Sequence, residues 1–217
     1  MPTKKRIEKA KKVLSLRQPD LRIALEEVTN THNASAVVRT CDAAGVMHLE
    51  IISSSMEPFP VNRAVSTRAE KWLKFNYHSS TRECLTRLKE QGFKIAATHL
   101  CQNAIPHTSL DYTQPLVIVF GNEAEGLSKE ALELSDYIIR IPMMGMVQSL
   151  NLSVSVGIIL YEALQQRQKK GYYDRVRLSE EEFQKFLRAW LKLPNENSPK
   201  KREAKASPAE NGSQERD

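Results

Sequence analysis

At 217 residues the chain is long enough to bury a full hydrophobic core without help from disulfides or a structural metal. With 41% hydrophobic and 27% charged residues it reads as a soluble globular protein. It has no apolar run near the roughly 20 residues of a membrane span and no apolar stretch of a signal peptide at its N-terminus, so a cytoplasmic location is expected. Cys41, Cys84 and Cys101 show no CxxC spacing, and His32, His48, His78, His99 and His107 are scattered, so no metal site is expected. The net charge of +6 is unevenly spread. Residues 1–12 hold six basic groups and one acidic, residues 164–217 hold 13 and nine, and the middle holds 13 basic against 16 acidic. Positive ends on a mildly acidic centre suit a polyanionic partner, although solvated basic helices give the same pattern.

In chain order, residues 4–17 read as a charged helix with apolar Ile7, Ala10, Val13, Leu14 and Leu16, stopped by Pro19-Asp20. Residues 21–28 form a strand-like run, and Asn33 is the expected N-cap of a helix reaching Gly45, which suits a left-handed C-cap. A second strand is expected at 46–53, then a Pro-containing loop at 53–63. A strand at 73–77, a helix at 81–92 closed by Gly92, and strands at 94–100 and 115–121 follow. Next come a Ser-capped helix at 128–135, a strand at 137–142, a long helix at 150–168 and a last one at 179–192 opening on Ser179. Past Pro194 there is almost nothing to bury, and residues 195–217 are expected to be a disordered tail. Strands alternating with helices predict an α/β fold built on a mostly parallel sheet.

The eight glycines, at 45, 92, 121, 126, 145, 157, 171 and 212, assemble neither GxGxxG nor GxxxxGK[ST]. That weakens a dinucleotide dehydrogenase, a P-loop NTPase and the common nucleotide-binding methyltransferase together. No serine sits at GxSxG spacing, which excludes a nucleophile-elbow hydrolase. Three other segments stand out. HNASAVVRTCDAAG (32–45) places Asn33 and Arg39 on an otherwise apolar helix, near the ligand-facing edge of the sheet, and such an arginine needs an anion or solvent. LVIVFGNEAEGLS (116–128) ends a buried strand in Gly121-Asn122-Glu123, where ligands of parallel sheets bind, and Gly121 permits close approach. IRIPMMGMVQSLNLSVSVG (139–157) runs from a strand through a Met-rich loop into a helix start carrying Gln148, Ser149 and Asn151. Gly157 within that helix suggests close packing on another helix or a second subunit. Taken singly, each segment also admits a purely structural explanation.

In order, spacing and placement the three resemble the signature motifs of the SpoU branch of the SPOUT RNA methyltransferases. These read N-x5-R, then a strand ending G-N/Q-E-x-x-G, then I-P-M-x-G-x-x-x-S-L-N-x-S, and the match spans roughly residues 20–165. The resemblance implies a 20–168 catalytic domain whose C-terminal part is threaded into a deep trefoil knot, with basic helical extensions at 1–19 and 169–194. It implies S-adenosyl-L-methionine as methyl donor, with Thr98, Leu100, Gly121, Ile141, Met144 and Leu150 lining the adenosyl pocket. It also implies a homodimer with each active site at the subunit interface. In the family pattern Arg39 activates the ribose 2′-hydroxyl, while Asn33, Glu123, Ser149 and Asn151 hold the site. An arginine is effectively always protonated, which favours stabilisation of the developing alkoxide, or engagement of the nearby phosphate, over proton abstraction.

The stretch 16–33 resembles the family members that methylate the D-loop guanosine 18 of tRNA, and no separate N-terminal substrate domain is expected ahead of it. On that likeness Arg17, His32, Arg167 and Arg175 are expected to contact RNA, with Lys4, Lys5 and Arg6 adding looser phosphate attraction. Arg68-Ala69 stands where many relatives have Gly-Ser, so the loop 54–72 is expected to meet RNA differently. A relative acting on ribosomal RNA or on a tRNA anticodon loop, and a non-catalytic RNA-binding protein, remain alternatives.

Overall fold

The computed structural model describes residues 2–55 and 59–193; the tail expected beyond Pro194 and part of the expected 53–63 loop lie outside the described residues. Helix α1 (Lys4–Ser15) opens on Thr3, whose hydroxyl accepts from the Arg6 N–H at 3.3 Å. Strand β1 (Gln18–Glu26) begins three residues earlier than expected, with Pro19 inside it. Its pairing with β2 (Val46–Ile52) skips from Gln18 to Arg22, and that irregularity accommodates a residue with no N–H to donate. Helix α2 (Thr31–Ala43) is capped by Asn30 rather than by Asn33: the Asn30 Oδ1 accepts from the N–H groups of His32 and Asn33, both at 3.0 Å. The shift leaves the Asn33 side chain free to work elsewhere. Gly45, at φ +81°, terminates the helix as expected.

Short helix α3 (Arg63–Ser66) and a 3-10 turn at Ala69–Trp72 were not legible as regular structure. Then follow β3 (Lys74–His78), α4 (Thr81–Glu90), β4 (Lys94–Thr98) and a two-residue β5 (Ile105–Pro106) too short to leave a pattern. The chain continues through β6 (Leu116–Phe120), α5 (Lys129–Glu133), β7 (Tyr137–Arg140), α6 (Leu152–Lys169) and α7 (Glu180–Leu191). Ser128 and Ser179 cap α5 and α7 as expected, the latter in a reciprocal capping box with Glu182.

The seven strands lie in the order β3-β2-β1-β6-β4-β7-β5, and every pair is parallel. Every residue of β2 and β6 is buried, as befits inner strands covered on both faces. Helices α2 and α6 pack on one face around Val37, Val38, Val156 and Ile159, and α4 and α5 on the other around Leu85, Leu88 and Ala131. A third apolar cluster joins α1 to α7 through Leu14, Leu187, Trp190 and Leu191, closed by Met47 of β2. Basic α1 thus packs directly on α7.

Two expected RNA contacts need correction. Arg17 and Arg167 are both fully buried, out of reach of a polyanion. The Arg17 guanidinium donates to the carbonyls of Val46 and Asp42 at 2.9 and 3.2 Å, pairs with the Asp42 carboxylate and sits 5.2 Å from the Trp190 ring centre. Arg167 donates to the Asp20 carboxylate at 2.6 Å and to the carbonyls of Tyr112 and Gln114 at 2.8 and 3.0 Å. A guanidinium offers five donors in a rigid fork, and here those donors gather carbonyls and one carboxylate from separate segments. Both arginines therefore fasten the terminal segments to the sheet.

Candidate functional site

Parallel strands bring their carboxyl ends to one edge of the sheet, and loops leaving those ends can enclose a ligand. Here the ends of β4, β6 and β7, with the N-terminal turns of α2 and α6, surround a cavity of about 520 Å³. That volume falls within the range of small-molecule and cofactor sites, roughly 300–1,000 Å³. Its lining includes Thr98, Leu100, Gly121, Ile141 and Leu150, five of the six residues expected around the adenosyl group. The Thr98 hydroxyl is held by the Val119 carbonyl at 2.9 Å, and the His99 N–H by the Ile139 carbonyl at 3.1 Å, so β4, β6 and β7 are tied together where they meet the cavity.

Met144 does not line the cavity; Met143 does. Met143 is partly buried at the cavity, whereas Met144 is 94% exposed. Gly121, which lines the cavity, is also required by the packing of the chain itself. A Cβ there would lie 2.2 Å from the carbonyl of Gly126 and 2.5 Å from the Leu127 N, because the 122–126 loop folds straight back onto it. The close approach is made by the chain itself. The Asn122 amide fixes that loop by donating to the Glu27 carbonyl at 2.8 Å.

Asn33, Glu123, Ser149 and Asn151 all line the cavity, and three of them form one hydrogen-bonded chain. The Asn33 Nδ2 donates to the Glu123 Oε1 at 2.7 Å, and the Asn33 Oδ1 accepts from the Asn151 Nδ2 at 2.8 Å. The Asn151 Oδ1 then accepts from the Ser153 N–H at 2.9 Å and so caps α6. One buried amide, Asn33, links the first turn of α2, the loop after β6 and the start of α6. An amide at this point donates to a carboxylate through its nitrogen and accepts from a second amide through its oxygen. Asn30, His99, Arg140 and Gln148 also border the cavity. Of these, Gln148 stood in a recognised segment, whereas Asn30 was obscured by the misplaced cap.

Arg39 is not brought to the cavity of its own chain. It is exposed, with no ion-pair partner among the described residues. Six residues along a helix carry the side chain about 9 Å up the axis and about 240° around it from Asn33, which corrects the expectation that the two share one edge. Of the expected RNA contacts, His32, Arg175, Lys4, Lys5 and Arg6 are exposed. His32 lies on the first turn of α2, beside cavity-lining Asn33.

Glu50, His78 and Cys84, far apart in sequence, meet at the β2–β3–α4 junction with ligand-type atoms within 4.8 Å of one another. The cluster is already satisfied by the chain. Glu50 accepts from Arg22 and Asn76, each at 3.0 Å, and lies 2.7 Å from the His78 Nε2. Arg87 approaches the His78 Nδ1 at 3.1 Å, and because a guanidinium only donates, that nitrogen is the acceptor and Nε2 carries the proton to Glu50. Burial raises the Glu50 carboxyl, but the His78 hydrogen bond and the Arg22 charge outweigh it and hold its pKa below the ordinary value. Burial pushes the Cys84 thiol up to about 12. A thiol that burial keeps protonated is poorly suited to bind a cation.

A parallel sheet with a ligand cavity at its carboxyl edge, a polar relay joining three loops and no phosphate-gripping glycine loop defines an α/β enzyme outside the dinucleotide-binding class. The SpoU rRNA methylase family model matches residues 20–161. The tRNA (guanosine(18)-2′-O)-methyltransferase of Aquifex aeolicus is 44% identical over 86% of this chain and 88% of its own length. The crystal structure of the A. aeolicus TrmH/SpoU tRNA modifying enzyme superposes with a TM-score of 0.82, at 44% identity over 86% of this chain and 94% of that one. The SpoU methyltransferase AviRb from Streptomyces viridochromogenes, solved in complex with AdoMet, gives a TM-score of 0.63 at 26% identity, covering 70% of this chain and 62% of that one. The chain belongs to the SpoU methylase family.

Proposed function

We propose that this chain transfers a methyl group from S-adenosyl-L-methionine to the ribose 2′-hydroxyl of guanosine 18 in tRNA. The observation that carries the reading is the Glu123–Asn33–Asn151 chain at the mouth of a strand-end cavity, in a protein whose relative over nearly its full length is named for that reaction. The cavity fits the donor. Ile141, Met143 and Leu150 offer adaptable apolar walls for an adenine ring and a sulfonium, while the loop backbone at 98–100 and 121–123 and the Gln148 and Ser149 side chains supply polar partners. When bound, the donor supplies an electrophilic methyl group, and displacement at that carbon depends chiefly on orientation.

The chain's own residues supply that orientation. Asn33 keeps the Glu123 carboxylate and the α6 cap in one arrangement, so loops from three strands move as a unit. Arg39 acts as a fixed positive charge for the developing alkoxide or the adjacent phosphate, and not as a base. Because it lies away from its own cavity, it is delivered across a subunit boundary. A homodimer accounts for this and for a row of exposed apolar residues on α6. Val154, Ile158 and Tyr161 are 48%, 36% and 54% exposed, and a Cβ placed on Gly157 between them would point into open space, with nothing beyond its own helix backbone within 4 Å. Met144, Met146 and Val147, in the loop that precedes α6, are more than half exposed as well. The loops around the cavity form the knotted part of the fold, and α1 and α7 serve as RNA-binding extensions of the 20–168 domain in a cytoplasmic enzyme.

The test is transfer of labelled methyl to an unmodified tRNA transcript, with the labelled nucleotide mapped after digestion. Label at guanosine 18, lost in Arg39→Ala, is the expected result. Label confined to another nucleotide or to ribosomal RNA replaces the substrate, and no label with no donor binding removes the reading.

A further inference from the structure

A second cavity, of about 580 Å³, opens between α1, α7 and the turn that precedes β3. Four cationic side chains line it: Arg6 and Lys9 from α1, and Arg68 and Lys71 from the turn. All four are exposed, and none has a carboxylate partner among the described residues. The acid on its wall, Asp42, is already paired with buried Arg17, so the groove keeps its positive charge. Its aromatic wall is half-buried Trp72, held edge-on against Trp190 with ring centres 5.2 Å apart at 71°. The Arg17 guanidinium stacks 5.2 Å from the Trp190 ring centre and braces that pair.

The turn carrying Arg68 is built at a cost. Thr67 and Arg68 are consecutive residues in the left-handed region, at φ 52° and 66°, where glycine would sit without strain. The Ser66 hydroxyl secures the turn, donating to the Glu70 Oε2 at 2.6 Å and accepting from the Arg68 N–H at 3.3 Å. Strain at a long cationic residue on a cavity wall, where a small residue would relieve it, marks a binding position more readily than a packing one.

We propose that this groove is a nucleotide clamp for the RNA substrate. One unstacked base rests against Trp72, and its flanking phosphates lie on Arg6, Lys9, Arg68 and Lys71. The inference deepens the methyltransferase reading above and rests on it. A lone phosphate would leave most of the volume and the aromatic wall unused. Stacking with charge neutralisation is the usual way a protein holds a splayed nucleotide. The site is separate from the donor cavity, so it secures the tRNA without touching the transferred methyl group.

The chain contains two tryptophans, Trp72 and Trp190, and both line this groove, so intrinsic tryptophan fluorescence reports on it alone. Titrating the full-length protein with unmodified tRNA transcript is expected to quench that emission saturably. Heparin, a polyanion without bases, is expected to bind with little quenching. Arg68→Gly, which removes the charge and suits the left-handed backbone, is expected to keep its melting temperature and donor affinity. It should weaken tRNA binding about three- to tenfold and lower the salt dependence by about one charge. Trp72→Leu is expected to lose about tenfold in tRNA affinity, with Trp72→Phe recovering most of it. Equal quenching by heparin, unquenched emission at saturating tRNA, or full tRNA affinity in Arg68→Gly would overturn the clamp while wild-type methyl transfer continued. Loss of the methyltransferase reading itself would show instead as a wild-type protein that transfers no methyl group.

Discussion

Asn33 occupies a position where a single atom type decides the arrangement. Its amide donates to Glu123 on one side and accepts from Asn151 on the other, so Asn33→Asp sets a carboxylate against a carboxylate at unchanged size. Loss of one charge-assisted hydrogen bond of this kind costs about 2 kcal/mol, and kcat/KM is expected to fall roughly thirtyfold, with a lower melting temperature because the same bond ties segments of the folded chain. Adding Glu123→Gln restores a donor facing the new acid and is expected to recover much of that loss; a double variant no better than either single one would refute the relay. At this scale the sequence identified residue types well and surroundings poorly. Asn33, Glu123, Ser149 and Asn151 stand at recognisable spacings, and the structure brings all four to one cavity. Arg17 and Arg167 look in sequence like any surface arginine, because their burial depends on Asp20, Asp42 and carbonyls contributed by separate segments. Which of Met143 and Met144 meets the cavity has no signature in the sequence, because the two are adjacent and chemically identical.

Among the elements, those with strong local signals were recovered to within a few residues: the apolar runs of β2 and β6, the Ser128 and Ser179 caps, and the long α6. What failed was weak or competitive locally. Two asparagines three residues apart are equally good caps for α2, and tertiary demand for Asn33 at the cavity selects Asn30. β5 has two residues and exists only because β7 offers an edge. Helix α6 shows what a sequence pattern leaves undecided: from Val154 to Tyr161 it is apolar on nearly every side, and only the structure separates the buried Val156, Ile159 and Leu160 from the exposed Val154, Ile158 and Tyr161. The proposed dimer follows from that exposed row. Ile158→Glu is expected to convert a dimer to monomers in sedimentation velocity and to abolish methyl transfer, since Arg39 would no longer reach a partner's cavity. A variant that remains dimeric and active would place the interface elsewhere.

For the molecule as a whole, basic α1 and the C-terminal helix α7 are one structural unit, packed together over Met47. The union was illegible in sequence, where the two helices lie more than 160 residues apart. His48 sits beneath it, its ring edge-on to Phe186 at 6.3 Å and its Nδ1 without a partner among the described residues. Burial, with the nearby positive charges of Arg22 and Lys74, lowers its pKa from 6.5 to about 4 against the opposing pull of Glu50 and Glu182. As pH falls below 6.5 the unfolded chain takes up this proton first, so stability present at neutral pH is lost between 6.5 and about 4. The loss amounts to about 3 kcal/mol. Glu50, held below its ordinary 4.5, contributes in the same direction only at lower pH. His48→Leu is expected to flatten the melting temperature between pH 5 and 7; an unchanged slope would assign the acid sensitivity to other groups. The central claim is the atom that is methylated, and it is tested most directly with two tRNA transcripts that differ only in the ribose of guanosine 18, one with its 2′-hydroxyl and one 2′-deoxy, each given labelled S-adenosyl-L-methionine and this enzyme. The account predicts label in the first and background in the second at equal binding affinity; equal label in both would contradict it.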